Sequence, residues 1–234
     1  MNLRAKATRV TAKLKRIYDL LEEHFGDLKW WPAGSDFEVM VGAVLTQNTS
    51  WKNVEKAIDS LKRKRLMDPF KIKRTELVKL SETIRSSGFH RIKAERLKSI
   101  SEFLIKESSG DAAGLKKKKT HKLREMLLEV NGVGPETADS ILLYALGKPV
   151  FVVDAYTKRI FGRHGLIKDG ASYDDVQCLV HKEFPRKIKK MNQFHALLVE
   201  TAKNFCKKND PMCGKCPLGS GKTDKRKSNL SPVT

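Results

Sequence analysis

Two acidic residues, Glu136 and Asp154, lie where a carboxylate could take part in chemistry. Asp154 follows the short apolar run Phe151–Val153 and begins a new helical pattern. An aspartate in this position is often a simple N-cap, but a carboxylate can also stabilise developing positive charge or activate a water molecule. Glu136 lies in the first turn of the preceding helical pattern, where an acid suits the helix dipole. For Asp154, the spacing alone leaves the structural and the catalytic role open.

A glycine-containing turn, Asn131–Gly134, separates two helical patterns just before Glu136. Its two glycines let the chain reverse without a Cβ clash, and Pro135 fits the first turn of the helix that follows. Such a turn presents backbone N–H groups beside a helix N-terminus, which suits a phosphate oxygen. We therefore take Gly132, Val133 and Gly134 as candidate phosphate-binding residues.

The three tryptophans form another group of interest. Trp30 and Trp31 are adjacent and precede Pro32, and Trp51 directly follows the polar stretch Thr46–Ser50. Most tryptophans belong to a core, but two adjacent indoles do not both face one core in most conformations. An aromatic binding pocket is the alternative, and indole faces attract cations.

The cysteine spacing points to metal binding rather than to disulfides. Six residues separate Cys206 from Cys213, and two separate Cys213 from Cys216. The pattern allows a zinc site with a non-cysteine ligand, or a loop that has lost its metal. Cys178 lies within a helical pattern, where we expect a core residue.

The elements that must position these residues are helices. About nine or ten helical patterns and no convincing strand hairpin predict an all-α fold. Among them, residues 121–146 predict a helix, a tight hairpin and a second helix. Residues 219–234 have no periodicity and predict a disordered basic tail.

Composition favours a polyanionic partner. The net charge is +20 over 234 residues, which suits nucleic acid, although a solvated basic surface would give the same total. No apolar run is long enough to span a membrane, and the N-terminus lacks the apolar block of a secretory signal.

The hairpin and the aspartate carry a resemblance to a known family. The sequence Gly132-Val-Gly-x-x-Thr-Ala138, followed at this distance by Val153-Asp154, resembles the helix-hairpin-helix DNA glycosylases of the endonuclease III superfamily. The resemblance covers roughly residues 36–216. It implies a hairpin that grips the DNA backbone, a catalytic Asp154, and DNA lying in a cleft between two helical domains, 36–148 and 1–35 with 149–218.

Within that family, four segments resemble the 3-methyladenine DNA glycosylase III group: Trp30–Pro32, Val44–Trp51, Arg85–Phe89 and Glu136–Ile141. The resemblance implies that Trp30, Trp31 and Trp51 wall a pocket for a flipped base, with Glu136 beside it. It also implies that Gln47 and Asn48 fill the gap left in the duplex, although ordinary loop hydrogen bonds explain those two residues equally well.

Glu136 departs from the bifunctional members of the family, which have a lysine at this position. That lysine forms a Schiff base and cleaves the strand, whereas a carboxylate cannot form an imine. We therefore expect a monofunctional glycosylase that hydrolyses the bond to an alkylated, 3-methyladenine-like base. The alternatives are an endonuclease III-like glycosylase/lyase acting on oxidised pyrimidines or mismatched bases, and a noncatalytic DNA-binding module.

The family resemblance also implies a role for the cysteines, a DNA partner and a cellular location. It implies a 4Fe–4S loop over residues 206–222, held by Cys206, Cys213 and Cys216, with Lys222 where the fourth cysteine is expected. Clusters with three thiolates are usually more labile. We expect a monomer that binds damaged double-stranded DNA and, in a prokaryote, resides in the cytoplasm at the nucleoid.

Overall fold

The computed structural model describes residues 3–219, with side chains from residue 9 onward, and the regular secondary structure in that range is helical. Within that range there are twelve α-helices and no strand, as the sequence predicts for the fold class. The helices are α1 (Leu3–Phe25), α2 (Asp36–Leu45), α3 (Trp51–Arg63), α4 (Pro69–Arg74), α5 (Leu77–Thr83), α6 (His90–Ser108), α7 (Ala112–Lys116), α8 (Thr120–Leu128), α9 (Pro135–Ser140), α10 (Ala155–Arg163), α11 (Tyr173–Glu183) and α12 (Ile188–Asn204). The predicted tail from residue 220 onward, including Lys222, lies outside the described residues.

Two helices that the sequence pattern does not predict are α4 and α7. They have six and five residues, which is too short for a 3.6-residue period to show. Each is capped by an aspartate: Asp68 accepts the backbone N–H of Lys71 at 2.9 Å, and Asp111 accepts that of Ala113 at 2.9 Å. Local capping, rather than an apolar stripe, marks these helices.

Ser35 caps α2, because its hydroxyl accepts the backbone N–H of Glu38 at 3.1 Å. The prediction that Cys178 belongs to the core was wrong. Cys178 is exposed rather than buried. It lies two residues from both Val176 and Val180, which form the buried face of α11, and residues two apart point to different sides of a helix.

Helix α6 holds one part of the core, since it contacts α2, α4, α5 and α7. Its residues Leu97, Ile100 and Leu104 are fully buried. Helix α12 holds another part, in contact with α1 and α10. The division into domains 36–148 and 1–35 with 149–218 stays a prediction.

The predicted hairpin joins α8 to α9. Gly132 has φ +82°, and a Cβ on it would lie 2.2 Å from Cγ of Arg96. The turn therefore needs glycine both for its backbone conformation and for the arginine packed over it. Helix α9 continues directly into a π-helical turn, Ile141–Ala145, in which the N–H of Leu146 bonds to the carbonyl of Ile141 at 3.0 Å.

The extended segment Phe151–Val153 is held by side chains of α11 instead of by a neighbouring strand. Gln177 donates to the Phe151 carbonyl at 2.7 Å, and Tyr173 accepts the Val153 N–H at 3.3 Å. The Phe151 N–H bonds to Nε2 of His181 at 2.9 Å, and burial lowers the pKa of His181 to about 4, which keeps this ring neutral and able to accept. These bonds fix where Asp154 begins α10.

Candidate active site

Asp154 is the N-cap of α10, and its carboxylate is close to a histidine. One carboxylate oxygen, Oδ1, accepts the backbone N–H of Thr157 at 2.7 Å. The other, Oδ2, lies 3.6 Å from Nε2 of His195, and the Asp154 side chain is 12% exposed. Burial alone would raise the pKa of Asp154, but the imidazole of His195 and the backbone N–H of Thr157 lower it. The carboxylate is therefore ionised at neutral pH.

His195 connects Asp154 to an aromatic residue, Tyr144. Nδ1 of His195 is hydrogen-bonded to the hydroxyl of Tyr144, which lies in the π-helical turn. Burial, together with the negative charge of Asp154, raises the pKa of Tyr144 well above its ordinary value, so its hydroxyl keeps its proton. The spacing of the histidines in the sequence did not predict that His195 would lie between Asp154 and Tyr144. The available clue was a titratable residue inside the otherwise apolar run Phe194–Leu198 of α12.

Glu136 lines a cleft and is affected by the charge of Asp154. The side chain is exposed at the cleft, but the protein atoms around its carboxylate limit solvation and raise its pKa. The charge of Asp154 adds to this rise, and His195 opposes it. A cleft of about 230 Å³ opens here, lined by Ala43, Thr46, Gln47, Asn48, Arg96, Glu136, Thr137 and Ser140. The two acidic residues selected from the sequence are thus close enough for the charge of one to affect the other, and Glu136 is the one that lines this cleft.

The three tryptophans also come together, and Tyr144 joins them. Trp31 and Trp51 meet edge to face with ring centroids 4.9 Å apart, and Trp30 lies 6.3 Å from Trp51. Tyr144 lies 5.2 Å from Trp31. The ammonium of Lys203 is 5.2 Å from the centre of the Trp30 ring. Because the planes of Trp31 and Trp51 are nearly perpendicular, they do not bound a parallel slot between them, and the base pocket stays a prediction.

Gln47 and Asn48 differ in their surroundings. Nε2 of Gln47 donates to the carbonyl of Gly132 and to the hydroxyl of Thr137, both at 2.9 Å. Its Oε1 accepts from the guanidinium of Arg96. Gln47 therefore ties the loop after α2 to the hairpin. Asn48 is exposed at the cleft with φ +55°, and its role in the duplex gap stays a prediction.

Within the hairpin, the three candidate phosphate-binding residues have different environments. Val133 is 5% exposed, and its N–H already bonds to the carbonyl of Val130 at 3.0 Å. Gly134 is exposed and begins α9 without a side-chain cap. A Cβ on Gly134 would meet nothing within 4 Å. The open end of α9 is thus at Gly134, while Val133 anchors the turn and Gly132 accommodates Arg96.

Asp139, which the sequence pattern does not single out, lies fully buried on α9. Its carboxylate accepts from Nε of Arg124 at 2.9 Å and from Nη2 of the same guanidinium at 3.2 Å. Tyr173 and Gln177 each donate to it at 2.8 Å. Since Tyr173 and Gln177 also hold the segment before Asp154, this carboxylate links the hairpin helix to the placement of Asp154.

We expect Asp139→Asn to lower the free energy of unfolding by about 3 kcal/mol, because breaking a buried ion pair leaves its partners without a charge to bind. Urea unfolding measures this. Asp174→Asn is the matched control, since Asp174 contacts the same Arg124 at 3.4 Å but its side chain is 80% exposed. That exposed pair contributes only about 0–1 kcal/mol. Equal losses in the two variants would contradict the role of Asp139.

The three spaced cysteines are close enough to affect one another. Burial, and then the charges of Cys206 and Cys213, raise the pKa of Cys216. However, residues 3–219 contain no group of three side chains arranged to hold a metal ion. Arg163 donates to the Cys206 sulfur at 3.2 Å. We assign no step to a 4Fe–4S cluster, which stays a prediction that iron and sulfide analysis of anaerobically purified protein would check.

None of the described helices is both long and apolar enough to cross a bilayer.

Comparison with protein families identifies one match over most of the chain. The family model described as HhH-GPD superfamily base excision DNA repair protein matches residues 41–186. A protein of Methanocaldococcus jannaschii, named as a candidate DNA repair glycosylase, is 48% identical over 205 residues, which are 87% of this chain and 92% of that protein. Endonuclease III of Thermotoga maritima is 31% identical, over 78% of this chain and 80% of that enzyme.

Comparison with solved structures gives a similar result. The crystal structure of a 3-methyladenine DNA glycosylase from Helicobacter pylori bound to 1,N6-ethenoadenine matches with a TM-score of 0.70 and 32% identity. The match covers 83% of this chain and 97% of that one.

Proposed function

The chain belongs to the HhH-GPD superfamily of base excision DNA repair proteins and is a DNA glycosylase; from this premise, we propose that it removes alkylated purines and does not cleave the strand. The family assignment confirms the resemblance inferred from the hairpin motif and Asp154. The observation that carries the proposal is an ionised carboxylate, Asp154, beside an aromatic cluster formed by Trp30, Trp31, Trp51 and Tyr144.

In the proposed reaction, Asp154 acts on the sugar of a nucleotide that has been flipped out of the duplex. As the base departs, positive charge develops on the sugar, and a fixed carboxylate in a partly dry site stabilises it. The same carboxylate can orient or deprotonate the attacking water. Because Thr157 holds only Oδ1, Oδ2 is the oxygen that we assign to this work.

The preference for alkylated purines rests on charge and on aromatic faces. A 3-methylated adenine is cationic, and both indole rings and carboxylates attract cations. Asp154 supplies negative charge, and Trp31 and Trp51 supply apolar surface at the same site. Methylation also weakens the glycosidic bond, so little acid assistance is needed. The resemblance to the glycosylase of Helicobacter pylori supports this substrate class.

The absence of lyase activity rests on Glu136, which stands in the position of the Schiff-base lysine. Another lysine near the cleft, Lys93, has a pKa lowered to about 8 by burial and by the charge of Arg96. However, Lys93 is 1% exposed, and its ammonium donates to the carbonyls of Leu45 and Ser87 at 2.9 and 2.7 Å. It is therefore not available to attack a sugar.

A panel of duplexes, each with one lesion, tests the proposal directly. Incubation with the protein, with and without later alkali, separates base release from strand cleavage. We expect 3-methyladenine to be released and the strand to break only after alkali. Faster removal of thymine glycol or of mismatched uracil than of any methylated purine would contradict the substrate assignment, while the glycosylase assignment would stand.

We expect Trp51→Ala to reduce excision of 3-methyladenine strongly while nonspecific duplex binding stays nearly unchanged. Stacking on an aromatic ring contributes about 1–3 kcal/mol per base, so the expected loss is roughly 5- to 150-fold. Single-turnover excision and binding to an undamaged duplex measure the two effects. Trp51→Phe keeps a ring at this position and should retain most of the activity, and equal activity of the Ala variant would refute the pocket role.

We expect binding to undamaged duplex to weaken steeply with salt, with log K falling by about 0.9 for each phosphate neutralised. Gly134→Val should weaken binding to all sequences alike, because it places methyl groups at the open end of α9 and phosphate contacts carry no sequence information. Gly162→Val is the matched control, since a Cβ there also meets nothing within 4 Å. Titrations at several salt concentrations measure both effects, and salt-independent binding would count against the hairpin.

A further inference from the structure

His195 is a buried polar residue whose second ring nitrogen has no ordinary hydrogen-bond partner. Its side chain is 8% exposed, and its Nε2 makes no hydrogen bond within the part of the chain that the structure describes. The atom faces Oδ2 of Asp154 at 3.6 Å, slightly beyond hydrogen-bond distance. A buried polar atom without a hydrogen-bond partner costs free energy, so a functional reason for this arrangement is to be expected.

The hydrogen bond between Nδ1 of His195 and the Tyr144 hydroxyl determines whether Nε2, which faces the carboxylate, carries a proton. Because the Tyr144 hydroxyl keeps its proton, it can donate to Nδ1, and the hydrogen of a neutral imidazole then lies on Nε2. The opposite tautomer would point a lone pair at the negative Oδ2, which is unfavourable. We assign the Nε2–H tautomer on this electrostatic ground.

The ring is also fixed in place by its neighbours. The rings of Tyr144 and Phe151 lie 5.9 and 6.3 Å from it, centroid to centroid, and Phe151 meets it edge to face. Thr157 holds Oδ1 through its backbone N–H, and His195 is the ring that lies against Oδ2.

We propose that His195, oriented by the hydroxyl of Tyr144, is a positioning residue that aims Oδ2 of Asp154. This inference rests on the proposed catalytic role of Asp154. Both residues act through Asp154 and need not touch the substrate. At metal sites, the residues that orient a ligating side chain in the same way typically account for about 10- to 100-fold in affinity or activity, and we expect an effect of this size here.

The proposal predicts a change in pH dependence. The titratable groups facing this pair are Asp154 before α10, Glu136 on α9 and Tyr144 in the π-helical turn. Burial raises the pKa of Asp154, and His195 counteracts it. Removing His195 therefore raises the pKa of Asp154, so activity is lost at a higher pH as the solution is acidified.

Three variants separate positioning from mere packing. His195→Leu removes both ring nitrogens, His195→Gln returns an amide N–H near the place of Nε2, and Tyr144→Phe removes only the hydroxyl. Tyr18→Phe is the matched control, because it also removes a hydrogen-bonded tyrosine hydroxyl, which in this case donates to the carboxylate of Glu22 away from Asp154. If His195→Leu does not fold, the other two variants carry the test.

The first readout is titration of the Asp154 carboxyl by ¹³C NMR in the full-length protein, which needs no activity. We expect a higher pKa in His195→Leu and in Tyr144→Phe, and a value near wild type in His195→Gln and Tyr18→Phe. An unchanged pKa in both His195→Leu and Tyr144→Phe, or an unchanged pKa in Tyr144→Phe alone if the leucine variant is unfolded, would overturn the proposal.

The second readout is single-turnover release of methylated purines from duplex DNA treated with dimethyl sulfate, across pH. We expect Tyr144→Phe and His195→Leu to lose about 10- to 100-fold, with the acid limb at higher pH, and His195→Gln to regain most of the rate. A wild-type protein that releases no methylated purine would refute the proposed function, whereas an active wild type with the same pH profile in every variant would refute only the role of His195.

Discussion

Asp154→Asn should reduce base excision by about 100- to 10,000-fold, the range for a lost general acid–base group, while leaving duplex binding almost unchanged. The asparagine side-chain oxygen can still accept the backbone N–H of Thr157, which Asp154 accepts at 2.7 Å, so α10 should stay capped. What the variant lacks is the negative charge that stabilises the developing sugar cation. Single-turnover excision and duplex binding measured on the same samples check this.

Asp68→Asn is the matched control for that variant. Asp68 caps α4 with a 2.9 Å bond to the backbone of Lys71, and the same substitution there tests whether a weakened helix cap alone lowers activity. We expect wild-type excision from Asp68→Asn. If Asp154→Asn retained near wild-type base release, Asp154 would be a cap and nothing more.

Glu136→Lys should allow the protein to form a covalent adduct with DNA that borohydride can trap, which the wild type should not form. Borohydride reduces an imine between a lysine and the sugar to a stable adduct, and the wild type offers a carboxylate at this position. A lysine at position 136 would lie within the influence of the Asp154 charge, which already affects Glu136. We expect no adduct from the wild type and a covalent adduct from the lysine variant on gels after borohydride treatment.

Glu136→Gln is the control for this experiment, because it removes the charge without adding an amine. It should give no adduct. An adduct from the wild type, formed by any other lysine, would refute the monofunctional assignment. Lys93 is the residue to examine first in that event, because its pKa is lowered to about 8, although its ammonium is buried.

The hairpin and the start of α10 could be predicted from the sequence because their causes are local. Two glycines, a proline at the first helical position and an aspartate after an apolar run each restrict the chain within a few residues. The structure has the hairpin between α8 and α9, within a few residues of the predicted limits.

The neighbours of the other carboxylate oxygen of Asp154 could not be predicted, because they come from distant parts of the chain. Tyr144 and His195 are 51 positions apart, and no spacing rule joins residues on two packed helices. Gln47 illustrates the same limit. A polar loop residue suggests either solvent or DNA, and only the folded chain shows it bonded to Gly132 and Thr137.

The π-helical turn Ile141–Ala145 has a consequence for comparing related chains. Such a turn holds one residue more between hydrogen-bonded groups than an α-helix does, and each helical residue rotates the chain by about 100°. Deleting one residue here would restore the ordinary bonding pattern and swing Tyr144 away from its bond to His195. A relative with a one-residue deletion at this point of an alignment is therefore expected to lack the hydrogen bond between this tyrosine and the histidine, even when it has both residues.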